Sequence, residues 1–263
     1  MTDAPRVMLT NDDGIDSVGF RALYDALSNV AEVVAVAPAE DQSAVGRTMS
    51  ASVEVDDHDL GYAIQGTPAD CTVAGLSTLC PDVDLVVAGC NKGANLGAYV
   101  LGRSGTISAA VEATFFDVPA IATSLYVPGG EGEWRQAAND PADYRDACRA
   151  TRYLVTHGHG AGVFEQADYL NVNAPLPGDD PAEMEITRPS RRYEMNAERD
   201  GDSVHLEDPV WAQMRSGDVP DPEGTDRRAI FEGRVSVSPL TAPHTTEHHE
   251  ALDALAETFP DFE

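Results

Sequence analysis

Lysine is almost missing from this chain: Lys92 is the only one among 17 basic residues, against 45 acidic ones, for a formal net charge of -28. That balance excludes a surface built to follow nucleic-acid polymers, whose binding depends on neutralising backbone phosphates with Lys and Arg. Long apolar runs are absent too: none approaches the ~20 residues a helix needs to span a bilayer. The start, MTDAP, leads straight into an apolar strand pattern, leaving no room for a basic segment and an apolar leader. The expectation is a soluble, cytoplasmic protein with no membrane partner. Cys71, Cys80, Cys90 and Cys148 show neither CxxC pairing nor zinc-ligand spacing, so they read as buried free thiols. Among seven histidines, His248 and His249 are adjacent and do not share a helical face, which makes them solvated surface rather than a ligand pair.

What the chain has in excess is carboxylate. Disorder is one reading of so much like charge, but apolar runs recur from end to end, as they do not in a disordered chain. Adaptation to high salt is the better reading: at molar ionic strength the Debye length shrinks to about 3 Å and carboxylate repulsion is muted. The segments RVMLT, VVAVAP, DLVVAG, AIATSL and YLNVNAP are short, apolar and β-branched, and helix-like stretches separate them. This is the pattern of an α/β fold with a mostly parallel sheet.

The first strand, Val7 to Thr10, ends at Asn11-Asp12-Asp13-Gly14, and a helix follows with Phe20, Leu23, Tyr24 and Leu27 on one face. A second strand, Val33 to Ala37, opens at Pro38 into a polar loop running to Arg47. Segments around Ser50 to Val55 and Tyr62 to Gln65 suggest a hairpin, and Thr67 is placed to cap a helix with Pro68 in its first turn. A third strand, Asp84 to Ala88, runs into a loop rich in glycine and asparagine from Gly89 to Gly97. Ser104-Gly105-Thr106 then precedes an alanine-rich helix, Ala120 to Leu125 is a further strand, and Pro128 to Asp143 reads as a surface insertion. Beyond Tyr169 to Asn173 the chain becomes proline-rich, with short alternating pieces near Glu185 to Thr187 and Val235 to Ser238. An amphipathic helix from Glu247 to Phe259 closes it.

Adjacent carboxylates at the end of a first strand stand where open α/β sheets place their ligands. Two such acids repel unless a cation lies between them or one is protonated; the competing reading is an Asx turn, which Asn11, Asp12, Asp13 and Gly14 all suit. Loops around Ser43 and Asn91 should open on the same sheet edge. Carboxylate, hydroxyl and amide oxygens suit Mg²⁺, Mn²⁺ or Ca²⁺ rather than zinc. Ser104-Gly105-Thr106 offers hydroxyls, backbone N–H groups and a helix N-terminus, either as a phosphate cradle or as an ordinary cap. Nothing in the 93–97 loop matches a Walker loop or a dinucleotide fingerprint.

Taken in order, Thr10-Asn11-Asp12-Asp13-Gly14-Ile15, Val36-Ala37-Pro38, Ser43, Gly66-Thr67-Pro68-Ala69-Asp70-Cys71, Asn91 with Gly93 and Asn95, Ser104-Gly105-Thr106 and Pro119-Ala120-Ile121-Ala122 resemble the SurE family of survival-protein nucleotidases. The later half matches more loosely, through Asn171-Val172-Asn173-Ala174-Pro175, Gly224-Thr225-Asp226 and Val235-Ser236-Val237-Ser238-Pro239-Leu240. The resemblance implies a Rossmann-like catalytic core over residues 1–175 and a β-rich extension with hairpins and a helix over 176–263, used in a homodimer or homotetramer. It implies one divalent ion, Mg²⁺ or Mn²⁺, on Asp12, Asp13, Ser43 and Asn91, and substrate contacts from Asn95, Ser104, Gly105 and Thr106. It implies hydrolysis of nucleoside 5′- and 3′-monophosphates, releasing inorganic phosphate, and in some members of short polyphosphate. Two stretches depart from the family pattern: Ala39-Glu40-Asp41-Gln42 and Ala98-Tyr99-Val100-Leu101-Gly102-Arg103.

The expected chemistry is attack of water on phosphorus, with Asp12 and Asp13 holding the cation and Ser104, Thr106 and nearby N–H groups meeting the equatorial charge. A nucleophilic aspartate is disfavoured, because that chemistry wants acids two apart where Gly14 stands. A nucleotide sensor without turnover is the rival from another class.

Overall fold

The computed structural model describes residues 4–129, 136–158 and 160–242. The terminal helix expected over 247–259, with His248 and His249, lies outside the described residues, as does part of the insertion after Pro128.

Nine strands form one sheet: β1 (Arg6–Thr10), β2 (Glu32–Pro38), β3 (Val55–His58), β4 (Gly61–Ile64), β5 (Leu85–Lys92), β6 (Ala120–Leu125), β7 (Tyr169–Ala174), β8 (Met184–Ile186) and β11 (Val235–Leu240). Their order is β3-β4-β2-β1-β5-β6-β7-β11-β8. From β4 to β7 every neighbouring pair is parallel; β3 and β11 join antiparallel to β4 and β7. This is the α/β, Rossmann-like architecture expected.

Strand periodicity explains how both faces are covered. Along β1, Val7 and Leu9 point to one side and Met8 to the other, all fully buried. Val7 and Leu9 join Phe20, Leu23 and Leu27 of α1 (Val18–Leu27), and the same cluster takes in Ala147, Ala150 and Leu154 from the amphipathic helix Arg145–His157. Met8, Val36 and Val86 pack instead on Cys71 of α2 (Pro68–Ala74) and on Ile107, Ala110 and Ala113 of α3 (Gly105–Thr114). A parallel sheet needs a helical layer on each face, and this one has both. A side chain such as Phe20, buried in this way, contributes about 1.5–3 kcal/mol. All four cysteines are free and buried.

Thr67 caps α2 as expected: its hydroxyl accepts from Asp70 N–H at 3.2 Å, and the Asp70 carboxylate accepts from Thr67 N–H at 2.9 Å. The hairpin is shifted from its expected place, because Val55–His58 rather than Ser50–Val55 pairs with β4. Ser50 is occupied otherwise, donating both its N–H and its hydroxyl to Asp70.

β5 also runs on to Lys92, through what reads in the sequence as loop. Gly89 allows this: its φ is +139°, and a Cβ there would lie 2.3 Å from Thr123 O on β6. The strand changes register between Ala88 and Asn91 and then resumes pairing with β6.

Past β7 the chain returns to the same sheet as β11, and a separate two-stranded ribbon, β9 (Asn196–Asp200) with β10 (Ser203–Glu207), stands outside it. Two short helices, α4 (Pro209–Ser216) and α5 (Asp226–Phe231), follow the ribbon. No helix among the described residues is long and apolar enough to cross a membrane.

Candidate functional site

The sheet order reverses at β1, which has β2 on one side and β5 on the other. Open α/β sheets bind ligands in the crevice that such a reversal opens at the carboxyl ends of the strands. Asp12 and Asp13 follow β1 directly into that crevice, Asp12 buried and Asp13 half-buried.

Three other segments are tied to this pair. Gln42 N–H, in the loop after β2, donates to Asp12 O at 2.7 Å. Lys92 N–H, at the end of β5, donates to Asp13 Oδ2 at 2.7 Å. Thr106 Oγ, in the first turn of α3, donates to Asp12 Oδ1 at 2.6 Å. A Cβ on Gly105 would come within 2.9 Å of Asp12 Cβ, so only glycine lets the helix start this close to the carboxylate.

Asn11 braces the turn, its Nδ2 donating to Gly14 O at 2.8 Å and to Ser17 Oγ at 3.0 Å. The chain bends at Asp12 and Asp13, but not as an Asx turn: Asn11 donates through Nδ2, and its buried Oδ1 accepts no hydrogen bond among the described residues. That bend carries the two carboxylates into the crevice.

Ser43 is exposed; its hydroxyl and its N–H both donate to Asp41 Oδ1, at 2.5 and 2.8 Å. Asn91 stands on β5, not in a loop, and its Nδ2 donates to Gly93 O. Its Oδ1 is thus the end of the amide left for another partner. Ser104 is the N-cap of α3, accepting from Ile107 N–H at 3.2 Å.

Asn95 is buried and held by β6 and β7. Its Nδ2 donates to Ser124 Oγ at 2.9 Å, its N–H donates to Asn173 Oδ1 at 2.8 Å, and its carbonyl accepts from Asn171 Nδ2 at 2.9 Å and Asn173 Nδ2 at 3.2 Å.

Burial pushes the Asp12 carboxyl up to about 6, against hydrogen bonds from Thr106 that favour its anion. Burial again, then the charge of Asp12, pushes Asp13 up to about 7, and Asp41 raises both. The hydrogen bond from Lys92 N–H opposes the rise at Asp13 more than the Lys92 charge does. A carboxylate pair so disfavoured as two anions has the electrostatics that a divalent cation relieves.

Among the described residues no three His, Cys, Asp or Glu side chains gather as a metal cluster. Asp12 and Asp13 stand together here, and the segments carrying Ser43 and Asn91 are tied to them through Gln42 N–H and Lys92 N–H; with a hydroxyl and an amide oxygen added, the expected donors would all be oxygen. That all-oxygen set fits a hard cation such as Mg²⁺ or Mn²⁺.

Several residues that build this corner carry no site role in the sequence pattern alone. Asp41 lies in the stretch Ala39-Glu40-Asp41-Gln42, which departs from the family pattern. Asn171 and Asn173 alternate on a strand otherwise apolar, which is a legible signal, since a buried amide must find partners. Asp226 takes Gly97 N–H at 2.6 Å and Ser190 N–H at 2.9 Å, and no local pattern announces that.

Fold and crevice together define an α/β protein of the doubly wound kind, with paired carboxylates in the crevice at its switch point. The family model described as "Survival protein SurE" matches residues 7–196. The chain belongs to the SurE family. It is 63% identical over 263 residues to a protein of Haloquadratum walsbyi named 5′-nucleotidase SurE, covering 99% of each. It is 65% identical over 258 residues to a protein of the same name from Haloarcula marismortui, covering 98% of this chain and 96% of that one. The crystal structure of the SurE protein from Aquifex aeolicus superposes with a TM-score of 0.75 at 29% identity, covering 98% of this chain and all of that one.

Proposed function

We propose that this chain is a divalent-metal-dependent phosphomonoesterase that hydrolyses nucleoside 5′-monophosphates to nucleoside and inorganic phosphate. The observation that carries the reading is the pair Asp12 and Asp13, set in the crevice and tied to three further segments. The full-length likeness to proteins named 5′-nucleotidase SurE supports it.

In this reading Asp12, Asp13, Ser43 and Asn91 hold one Mg²⁺ or Mn²⁺. When bound, the ion supplies positive charge to the phosphoryl oxygens and makes water a better nucleophile near neutral pH. The protein's own groups do the positioning. Thr106 and Lys92 N–H fix the two carboxylates, and the first turn of α3 presents Ser104, Gly105 and Thr106 to the phosphate with the positive end of its dipole. Asn95 holds the 93–97 loop against β6 and β7 beside them.

The measurement that decides is release of inorganic phosphate from AMP in molar salt with added Mn²⁺ or Mg²⁺. Tight AMP binding without phosphate release would make the chain a sensor instead.

The same reading places the protein in the cytoplasm as a homodimer or homotetramer, with residues 176–263 serving assembly. The exposed ribbon of β9 and β10 supports it: Val204 and Leu206 are 58% and 73% exposed on a two-stranded unit that is marginal alone in water. Light scattering at high salt tests this; a mass of one subunit would overturn it.

A further inference from the structure

Asp41 is an additional carboxylate built into the same corner. The loop that carries it is pressed onto the first loop: Gln42 N–H reaches Asp12 O at 2.7 Å, and a Cβ on Gly14 would stand 3.5 Å from Asp41 N. Asp41 Oδ1 takes two hydrogen bonds from one residue, Ser43 N–H at 2.8 Å and Ser43 Oγ at 2.5 Å.

The first bond is an ordinary Asx turn. The second has a chemical consequence. A serine hydroxyl has one hydrogen and two lone pairs, and when free it rotates to suit its surroundings. Giving its hydrogen to a carboxylate stops that rotation and turns the lone pairs away from Asp41. It also makes the oxygen more electron-rich, because the bond is charge-assisted. Those are the conditions under which a neutral hydroxyl becomes a useful ligand for a hard cation.

We propose that Asp41 is a positioning residue for the divalent ion, acting through Ser43: it takes the Ser43 hydroxyl hydrogen so that Oγ presents a lone pair to the cation. This rests on the reading that Asp12, Asp13, Ser43 and Asn91 hold the ion. Asp41 itself stays outside direct coordination through Oδ1, which both bonds from Ser43 already occupy. Partners one step removed from a metal typically set its affinity by 10–100-fold.

The test is a double-mutant cycle on the full chain in molar potassium chloride, reading the Mn²⁺ dissociation constant by electron paramagnetic resonance. Asp41 is exposed, so Asp41→Ala leaves the core untouched. It should weaken Mn²⁺ binding about tenfold. In a Ser43→Ala background the same substitution should change binding by less than about twofold. Asp41→Asn, which keeps the acceptor oxygen but not its charge, should recover part of the loss.

Two results overturn the proposal: Asp41→Ala binding Mn²⁺ like the wild type, or Asp41→Ala costing the same factor with and without Ser43, which would make Asp41 a remote charge only. Asp12→Asn serves as the control. If it too binds Mn²⁺ normally, the metal site itself has been misplaced; if it loses Mn²⁺ while Asp41→Ala does not, this inference alone fails.

Discussion

Gly97 lies flat against the guanidinium of Arg227: a Cβ on Gly97 would stand 2.3 Å from Arg227 Nη2 and 3.0 Å from its Cζ. Arg227 is fully buried, with Nη1 3.6 Å from an Asp221 carboxylate oxygen and donating to Arg192 O at 3.3 Å. The neighbouring Asp226 takes Gly97 N–H at 2.6 Å. The far part of the chain thus grips the loop that leads from Asn91 to Ser104.

Gly97→Ala should therefore destabilise the protein by at least about 2 kcal/mol, since it adds a clash with a buried side chain to a backbone φ of +91° that only glycine adopts cheaply. Denaturant unfolding measures the loss. A variant as stable as the wild type would mean that the loop yields without cost.

Asp12→Asn or Asp13→Asn should abolish phosphate release while leaving the circular dichroism spectrum unchanged. Each removes one anion from a pair that burial raises, Asp13 being raised further by the charge of Asp12. The metal-free variants should melt no lower than the metal-free wild type at neutral pH. Wild-type activity in both would remove the basis of the site.

The pH dependence has a definite sign. Folding raises both carboxyls, so the metal-free fold prefers their protonated forms. That preference is complete below the ordinary aspartate value of about 4 and is lost as pH rises through the folded values of about 6 and about 7. Chelator-treated protein should lose melting temperature across this window. Mn²⁺ affinity should rise over the same range as the ion displaces protons. Titration calorimetry at several pH values, with a flat affinity, would contradict the shifts.

Raising potassium chloride from low to molar concentration should raise the melting temperature, because a net charge of -28 repels itself most when screening is weak. A flat salt series would remove the case for salt adaptation. The likeness to proteins of Haloquadratum walsbyi and Haloarcula marismortui points the same way as the charge.

The parts legible in the sequence were those where one local pattern decides one element. Val7 to Thr10 alternates around a break at Asn11, and the capping box at Thr67 announces its own helix. Where a distant partner decides, the pattern misleads. Gly89 to Lys92 reads as loop because glycine and asparagine dominate it, yet Thr123 on β6 gives it a strand's neighbour. Val55–His58 reads as polar, but β4 supplies its pairing. In the site, Asp12 and Asp13 stand out through adjacency and position. Asp41 does not, because its importance lies in a bond to a residue two places on, and Asp226 acts across 129 residues of sequence.

The mesh of Asn95, Ser124, Asn171 and Asn173 contains no ionised group. Ion pairs between exposed side chains weaken as salt rises, whereas buried amide and hydroxyl hydrogen bonds are shielded from ions by the protein around them. The segment beside the crevice is thereby fastened by contacts indifferent to the brine outside. Evolution is left free to load the exterior with acid, residue by residue, without disturbing the geometry at the ends of the strands.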